Sequence, residues 1–106
     1  MHYFLLKGRI AMATFDISNF DNLFRAVVKL GTIDDARKFF EDVCTIKELE
    51  AISQRIEVAE LLSAGKNYQD VSRLTGASTA TISRVSKCLN YGAGGYKLII
   101  EDPEEN

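Results

Sequence analysis

From Gly76 to Asn90 the chain reads GASTATISRVSKCLN, and the spacing sorts these side chains into two sets. Ile82, Val85 and Leu89 fall at i, i+3 and i+7, the apolar stripe of a helix. Thr79, Ala80, Thr81, Ser83, Arg84 and Lys87 take the remaining positions, and all are small or basic. Such a face suits DNA. A helix with a slim leading end lets its backbone approach base edges in the major groove. The hydroxyls of Thr79 and Thr81 can donate to phosphates or base acceptors, and their methyls can meet the thymine methyl. Arg84 and Lys87 can reach phosphates or guanine. Ser78 caps the helix, whose N-terminus is itself an anion site.

Positioning that face requires a shorter helix before it and a sharp turn between them. NYQDVSRL is capped by Asn67 and turns Val71 and Leu74 inward, and Gly76 lies where a positive φ is needed. Residues 68–90 thus read as a helix-turn-helix. Helix–Gly–helix also occurs in hairpins that serve only packing, so charge has to discriminate. The net charge of −2 conceals one basic segment. Residues 61–100 carry Lys66, Arg73, Arg84, Lys87 and Lys97 against Asp70 alone, whereas residues 10–60 hold six basic and ten acidic groups. The tail 101–106 adds Glu101, Asp102, Glu104 and Glu105. Local sign decides whether a surface can meet phosphate. Lys66, near the start of the shorter helix, and Arg73 therefore join the DNA-facing set.

With 106 residues, 46% of them hydrophobic and 26% charged, the chain suits one globular domain. The one proline, Pro103, sits in the tail, so nothing interrupts a helical reading of residues 18–90. No apolar run approaches the roughly 20 residues that span a bilayer. Lys7 and Arg9 follow the apolar patch Tyr3–Leu6 rather than precede it as in a secretory signal, which gives a cytoplasmic protein with a loosely ordered start. Met12 is an alternative initiator position. Cys44 and Cys88, without a CxxC pair, and the single His2 make no metal site, and both cysteines read as small buried hydrophobes. No nucleophile–base pair or phosphate-cradling Gly loop is present, so an enzyme and a cofactor are not expected.

Upstream, SNFDNLFRAVVKLG spaces Phe20, Leu23, Phe24, Val27 and Leu30 as a helix, with Ser18 or Asn19 to cap it and Gly31 to end it. TIDDARKFFEDVC restarts at Thr32. TIKELEAISQRIEVAELLSAG opens with a Thr45/Glu48 capping box, runs a stripe of Ile46, Leu49, Ile52, Ile56, Ala59 and Leu62, and stops at Gly65. That makes five helices and no strand before Gly92. GAGG at 92–95 reads as a flexible exit, and YKLII has β-forming residues without a partner strand. Val27, Val28, Leu30, Phe39 and Phe40 imply burial on both flanks of short helices, more than a lone chain of this size provides. A homodimer whose N-terminal helices pack against, or interleave with, those of a partner answers that excess.

LTGASTATISRVSKCL closely resembles the recognition region of the trp repressor, whose pattern runs leucine-glycine-alanine and then Ala-Thr-Ile-Thr-Arg. Gly76-Ala77 and Ala80-Thr81-Ile82-Ser83-Arg84 stand in those places. The helix containing Thr45 and Arg55, ten residues apart, resembles that family's central helix. The resemblance covers residues 20–90, and KCLNYGAGGYKL is more specifically similar to trp-repressor-related proteins of the YerC/YecD type. It implies an all-α, five- to six-helix, intertwined homodimer that binds a two-fold operator in double-stranded DNA. Carried over by position, the DNA-facing residues are Gln69, Ser72, Ser78, Thr79, Ala80, Thr81 and Ser83. Arg55 and Arg84 match the arginines that flank the corepressor, and Thr45 the threonine that assists. Surface ion pairs with Glu48, Glu57 or Glu60 are a simpler use of both arginines. Two departures bear on the ligand. Val85 replaces a glycine that leaves room for the indole ring, and Cys88 replaces a serine that serves the amino group. Glycine-rich YGAGGY stands where the repressor has its last helix.

These readings give a flexible segment 1–17, a helical DNA-binding and dimerisation domain 18–91, and a Gly-rich exit with acidic tail 92–106. The expected function is a sequence-specific transcriptional regulator, a repressor, acting as a homodimer. Any small-molecule effector is unknown and is not tryptophan. The competing function is a helical protein-interaction module that keeps the fold without DNA affinity.

Overall fold

The computed structural model describes residues 3–6, 9–12 and 16–100. The rest of the segment read as flexible, and the acidic tail 101–106, lie outside the described residues. The chain divides into two compact units, residues 1–40 and 41–106.

In the first unit, Tyr3–Leu6 (β1) and Arg9–Met12 (β2) pair antiparallel, Tyr3 opposite Met12 and Leu6 opposite Arg9. The expectation of no strand before Gly92 is thereby corrected. Tyr, Phe and Ile favour extended backbone, and four-residue runs are too short to show a period. A 3-10 turn at Ile17–Phe20 follows, capped by Asp16 rather than by Ser18 or Asn19. The Asp16 carboxylate accepts from the Ser18 hydroxyl at 2.7 Å and its N–H at 3.0 Å. Those two bonds, the hydroxyl's first, hold the Asp16 pKa below the ordinary carboxylate value. The first α-helix, α1 (Asp21–Val27), ends well before Gly31, closed by a bond from the Val28 N–H to the Phe24 carbonyl. The second, α2 (Ile33–Val43), whose last three residues belong to the second unit, starts where Thr32 accepts from the Asp35 N–H at 3.0 Å. Phe39 and Phe40 meet edge to face, 5.2 Å between ring centres.

In the second unit, α3 (Ile46–Ser63) begins with the expected capping box. Thr45 Oγ1 accepts from the Glu48 N–H at 3.1 Å, and Glu48 Oε1 accepts from the Thr45 N–H at 2.8 Å. The bond from the Thr45 N–H is the main reason the Glu48 pKa is lowered. After Gly65, at φ +89°, come α4 (Tyr68–Thr75), α5 (Thr79–Tyr91) and α6 (Gly95–Ile99). Both α4 and α5 pack on α3, and α6 packs on α5. The core is Val58, Ala59, Val71, Ala77, Ile82 and Val85, with Leu61, Leu62, Leu89, Tyr96 and Ile100 around it.

Full burial on α3 is confined to its second half, at Val58 and Ala59. Ile46 is 74% exposed and Ile52 39%, although both belong to the apolar stripe. The helix is about 27 Å long at 1.5 Å per residue, and the helices packed on it supply a core only around Val58 and Ala59. The C-terminal reading also changes. Residues of the YKLII stretch form α6 because Tyr96 and Ile100, four apart, both pack toward the core. Gly92, Ala93 and Gly94 form a defined turn into α6, with Gly94 at φ +88°. A side chain at Gly92 would collide with the Cys88 carbonyl. Cys88 is half-buried on α5, and Cys44, also half-buried, lies beyond the end of α2 rather than within a helix. Among the described residues no helix is long and apolar enough to cross a membrane, and no group of His, Cys, Asp and Glu could hold a metal.

Candidate nucleic-acid interface

Each helix of the α4–α5 pair starts at the residue expected from sequence. Asn67 Oδ1 accepts from the Asp70 N–H at 2.9 Å, and Ser78 Oγ accepts from the Thr81 N–H at 3.1 Å. Between the helices, Gly76 adopts φ +73° and its N–H donates to the Ser72 carbonyl at 2.8 Å. A Cβ there would meet no atom within 4 Å, so glycine is required by conformation alone. Left-handed backbone costs a side-chain-bearing residue about 1–2 kcal/mol. Gly76→Ala should therefore lower stability by about that much, read as a shift in the urea midpoint with the slope unchanged.

Side-chain hydrogen bonds brace this turn. The Thr75 hydroxyl donates to the Val71 carbonyl at 2.7 Å and accepts from the Ala77 N–H at 3.1 Å. The Ser72 hydroxyl donates to the Ala77 carbonyl at 2.9 Å. Gln54, on α3, donates through Nε2 to the Thr75 carbonyl at 3.1 Å. With Val71, Ala77, Ile82 and Val85 all buried, this bracing fixes which side of α5 faces outward.

That outward side carries most of the expected residues. Ser78, Thr79, Ala80, Ser83, Arg84 and Lys87 are exposed, as are Lys66, Gln69 and Arg73 on and before α4. Thr81 is half-buried, and its Oγ1 accepts from the Ser78 hydroxyl at 3.0 Å. Ser72 is half-buried with its proton committed to Ala77, which leaves only acceptor capacity toward a ligand. Arg73 pairs with Asp70 at 3.5 Å. Exposed pairs of this kind are worth about 0–1 kcal/mol, little to give up for a phosphate. No acidic residue occurs anywhere in α5. Leu74, expected to face inward, is 53% exposed.

The three candidate ligand residues are less convergent. Thr45 and Arg55 lie ten positions apart on α3, about 15 Å along the axis at 1.5 Å per residue. A single chain does not bring both onto one small molecule. Thr45 is exposed and engaged in its cap, Arg55 is half-buried, and Arg84 is exposed on α5. Neither arginine is among the ion pairs of the described residues, so the simpler use, pairing with Glu48, Glu57 or Glu60, is not made. Val85 is fully buried in the core with Val58, Val71 and Ile82. The sequence reading missed Gln54 and Thr75. Gln54 precedes buried Val58 by four positions, and a polar residue on a buried helical face is the signal that marks it.

Comparison with known proteins agrees with this geometry. The family model described as Trp repressor protein matches residues 18–104. An uncharacterized protein, YerC of Bacillus subtilis (strain 168), is 44% identical over 85 residues, covering 80% of this chain and 82% of its own. A TrpR-like protein of Eubacterium eligens ATCC 27750 superposes with TM-score 0.73 at 46% identity, over 80% of this chain and 94% of that one. A Staphylococcus aureus protein designated a candidate Trp repressor gives TM-score 0.72 at 39% identity, covering 77% and 82%. With every element from Ile17 to Ile99 helical and a family match over most of its length, the chain belongs to the Trp repressor family.

Proposed function

We propose that this chain is a sequence-specific DNA-binding transcriptional regulator, a repressor, that works as a homodimer and does not respond to tryptophan. The observation that carries the reading is α5. Its inward face is sealed by Ile82 and Val85, and its outward face presents hydroxyls and two exposed cations with no acid on the helix. Entering the major groove by its N-terminal end, such a helix would set Thr79, Ala80 and Ser83 toward base edges, with Arg84 and Lys87 toward phosphate or guanine. Its first N–H groups add a partial positive charge at the same end.

The homodimer rests on uncovered apolar surface. Besides Ile46 and Ile52, Val28 is 80% exposed, Ile33 70% and Val43 57%. A second copy is the occupant that family membership supports. The same exposed residues are what a protein-interaction module would use, so the two functions separate on DNA. Selecting bound duplexes from a random library, without tryptophan, should enrich a palindromic site whose half-sites are about one helical turn apart. Recovery of no common sequence favours the interaction module.

A further inference from the structure

We infer that Gln54 is a positioning residue for DNA reading, a role that rests on the function proposed above. The bonds made by Asn67, Ser72, Thr75 and Ser78 each stay within five residues of chain. They shape the turn but cannot set its placement on the rest of the molecule. The bond from Gln54 to the Thr75 carbonyl spans 21 residues and ties the middle of α3 to the last residue of α4. A carbonyl can only accept, so the amide nitrogen of Gln54 must face it.

The point of attachment gives the bond its leverage. The Thr75 carbonyl belongs to the last turn of α4, where carbonyls lack helical partners. It immediately precedes Gly76, the left-handed residue about which the chain swings into α5. The hydroxyl of the same threonine grips Val71 behind and Ala77 ahead. Holding that peptide against α3 fixes the pitch of α5 about an apolar contact of rounded aliphatic side chains, which has no directional preference of its own. The core decides that α5 packs on α3, and Gln54 decides at what angle its outward face is offered. Base edges discriminate only when donors and acceptors are in register, whereas phosphate attraction tolerates tilt. Loss of the bond should therefore cost specificity before it costs affinity.

The test uses full-length protein, a duplex selected by the wild type, and a random-sequence duplex. Gln54→Ala should reduce the ratio of selected to random affinity at least tenfold, with the salt slope on random duplex unchanged. Amide exchange at Gly76 and Ala77 in the free protein should accelerate, while exchange at Val58 and Ile82 stays slow. Gln54→Glu supplies the second variant. Its ionised carboxylate cannot donate to the carbonyl, but its acid form can, so its specificity should recover toward wild type as pH falls through the carboxyl titration. A merely volumetric role predicts no such recovery. An unchanged ratio in Gln54→Ala, or wild-type behaviour of Gln54→Glu at high pH, overturns the role alone. A wild type without preference for any duplex overturns the DNA reading and this role with it.

Discussion

Replacing Arg84 or Lys87 with alanine should weaken binding to a selected duplex by about 1–3 kcal/mol for each side chain removed, roughly five- to 150-fold. Both side chains are exposed, and neither is among the ion pairs of the described residues. Removing them therefore strips charge from the surface without leaving a buried partner unpaired. The two positions should differ in kind. A residue held to phosphate lowers affinity for all sequences alike and reduces the salt slope by about one per phosphate, or about two in a symmetric dimer. A residue reading guanine relaxes preference at one base pair instead. Lys87 is three residues beyond Arg84 and further from the slim end, so the uniform loss is expected there. Mobility shifts across a salt series separate the two patterns. Wild-type affinity in both variants would mean that α5 does not face DNA.

The second large effect belongs to Val85. It has no exposed surface and closes the core between α3 and α5. Val85→Gly removes those buried carbons and places glycine inside a helix. The cavity costs about 2 kcal/mol or more and the glycine about 1 kcal/mol. At fixed chain concentration the melting temperature should fall by more than about 10 °C, since 1 kcal/mol shifts a domain of this size by roughly 4–8 °C. Val85→Ala, which keeps helix propensity, should lose clearly less. The wild type should show no thermal shift with free tryptophan, whereas a ligand at a hundred times its Kd would add about 2.7 kcal/mol. A tryptophan-dependent shift in the wild type would show that Val85 does not exclude the indole.

How much of this was legible in the sequence depends on the range of the interaction. The caps at Thr45, Asn67 and Ser78 and the left-handed turn at Gly76 are settled within four residues, and each is found where the residue type places it. Asp16 was missed because both Asp and Ser can cap, and the competition between neighbours is decided by geometry. Helical spacing identifies an apolar face without identifying what covers it. Ile82 and Val85 are buried, while Ile46, Ile52 and Leu74, chosen by the same rule, are exposed. The YKLII stretch illustrates tertiary override, because β-forming side chains there accept a helix to place Tyr96 and Ile100 against the core. Of the candidate site, the outward residues of α5 follow directly from its inward stripe. Gln54 does not, since its partner is a backbone carbonyl 21 residues away that no local pattern encodes.

Binding of the tryptophan-free wild-type chain to its selected palindromic duplex, measured as affinity against salt concentration, tests the central claim most directly. Paired reading heads that each bring Lys87 and at least one further exposed cation to phosphate predict a steep linear fall of log K with log salt, with a slope of about −3.6 or steeper at roughly −0.9 per phosphate neutralised. A flat dependence, or no binding until tryptophan is added, would contradict it.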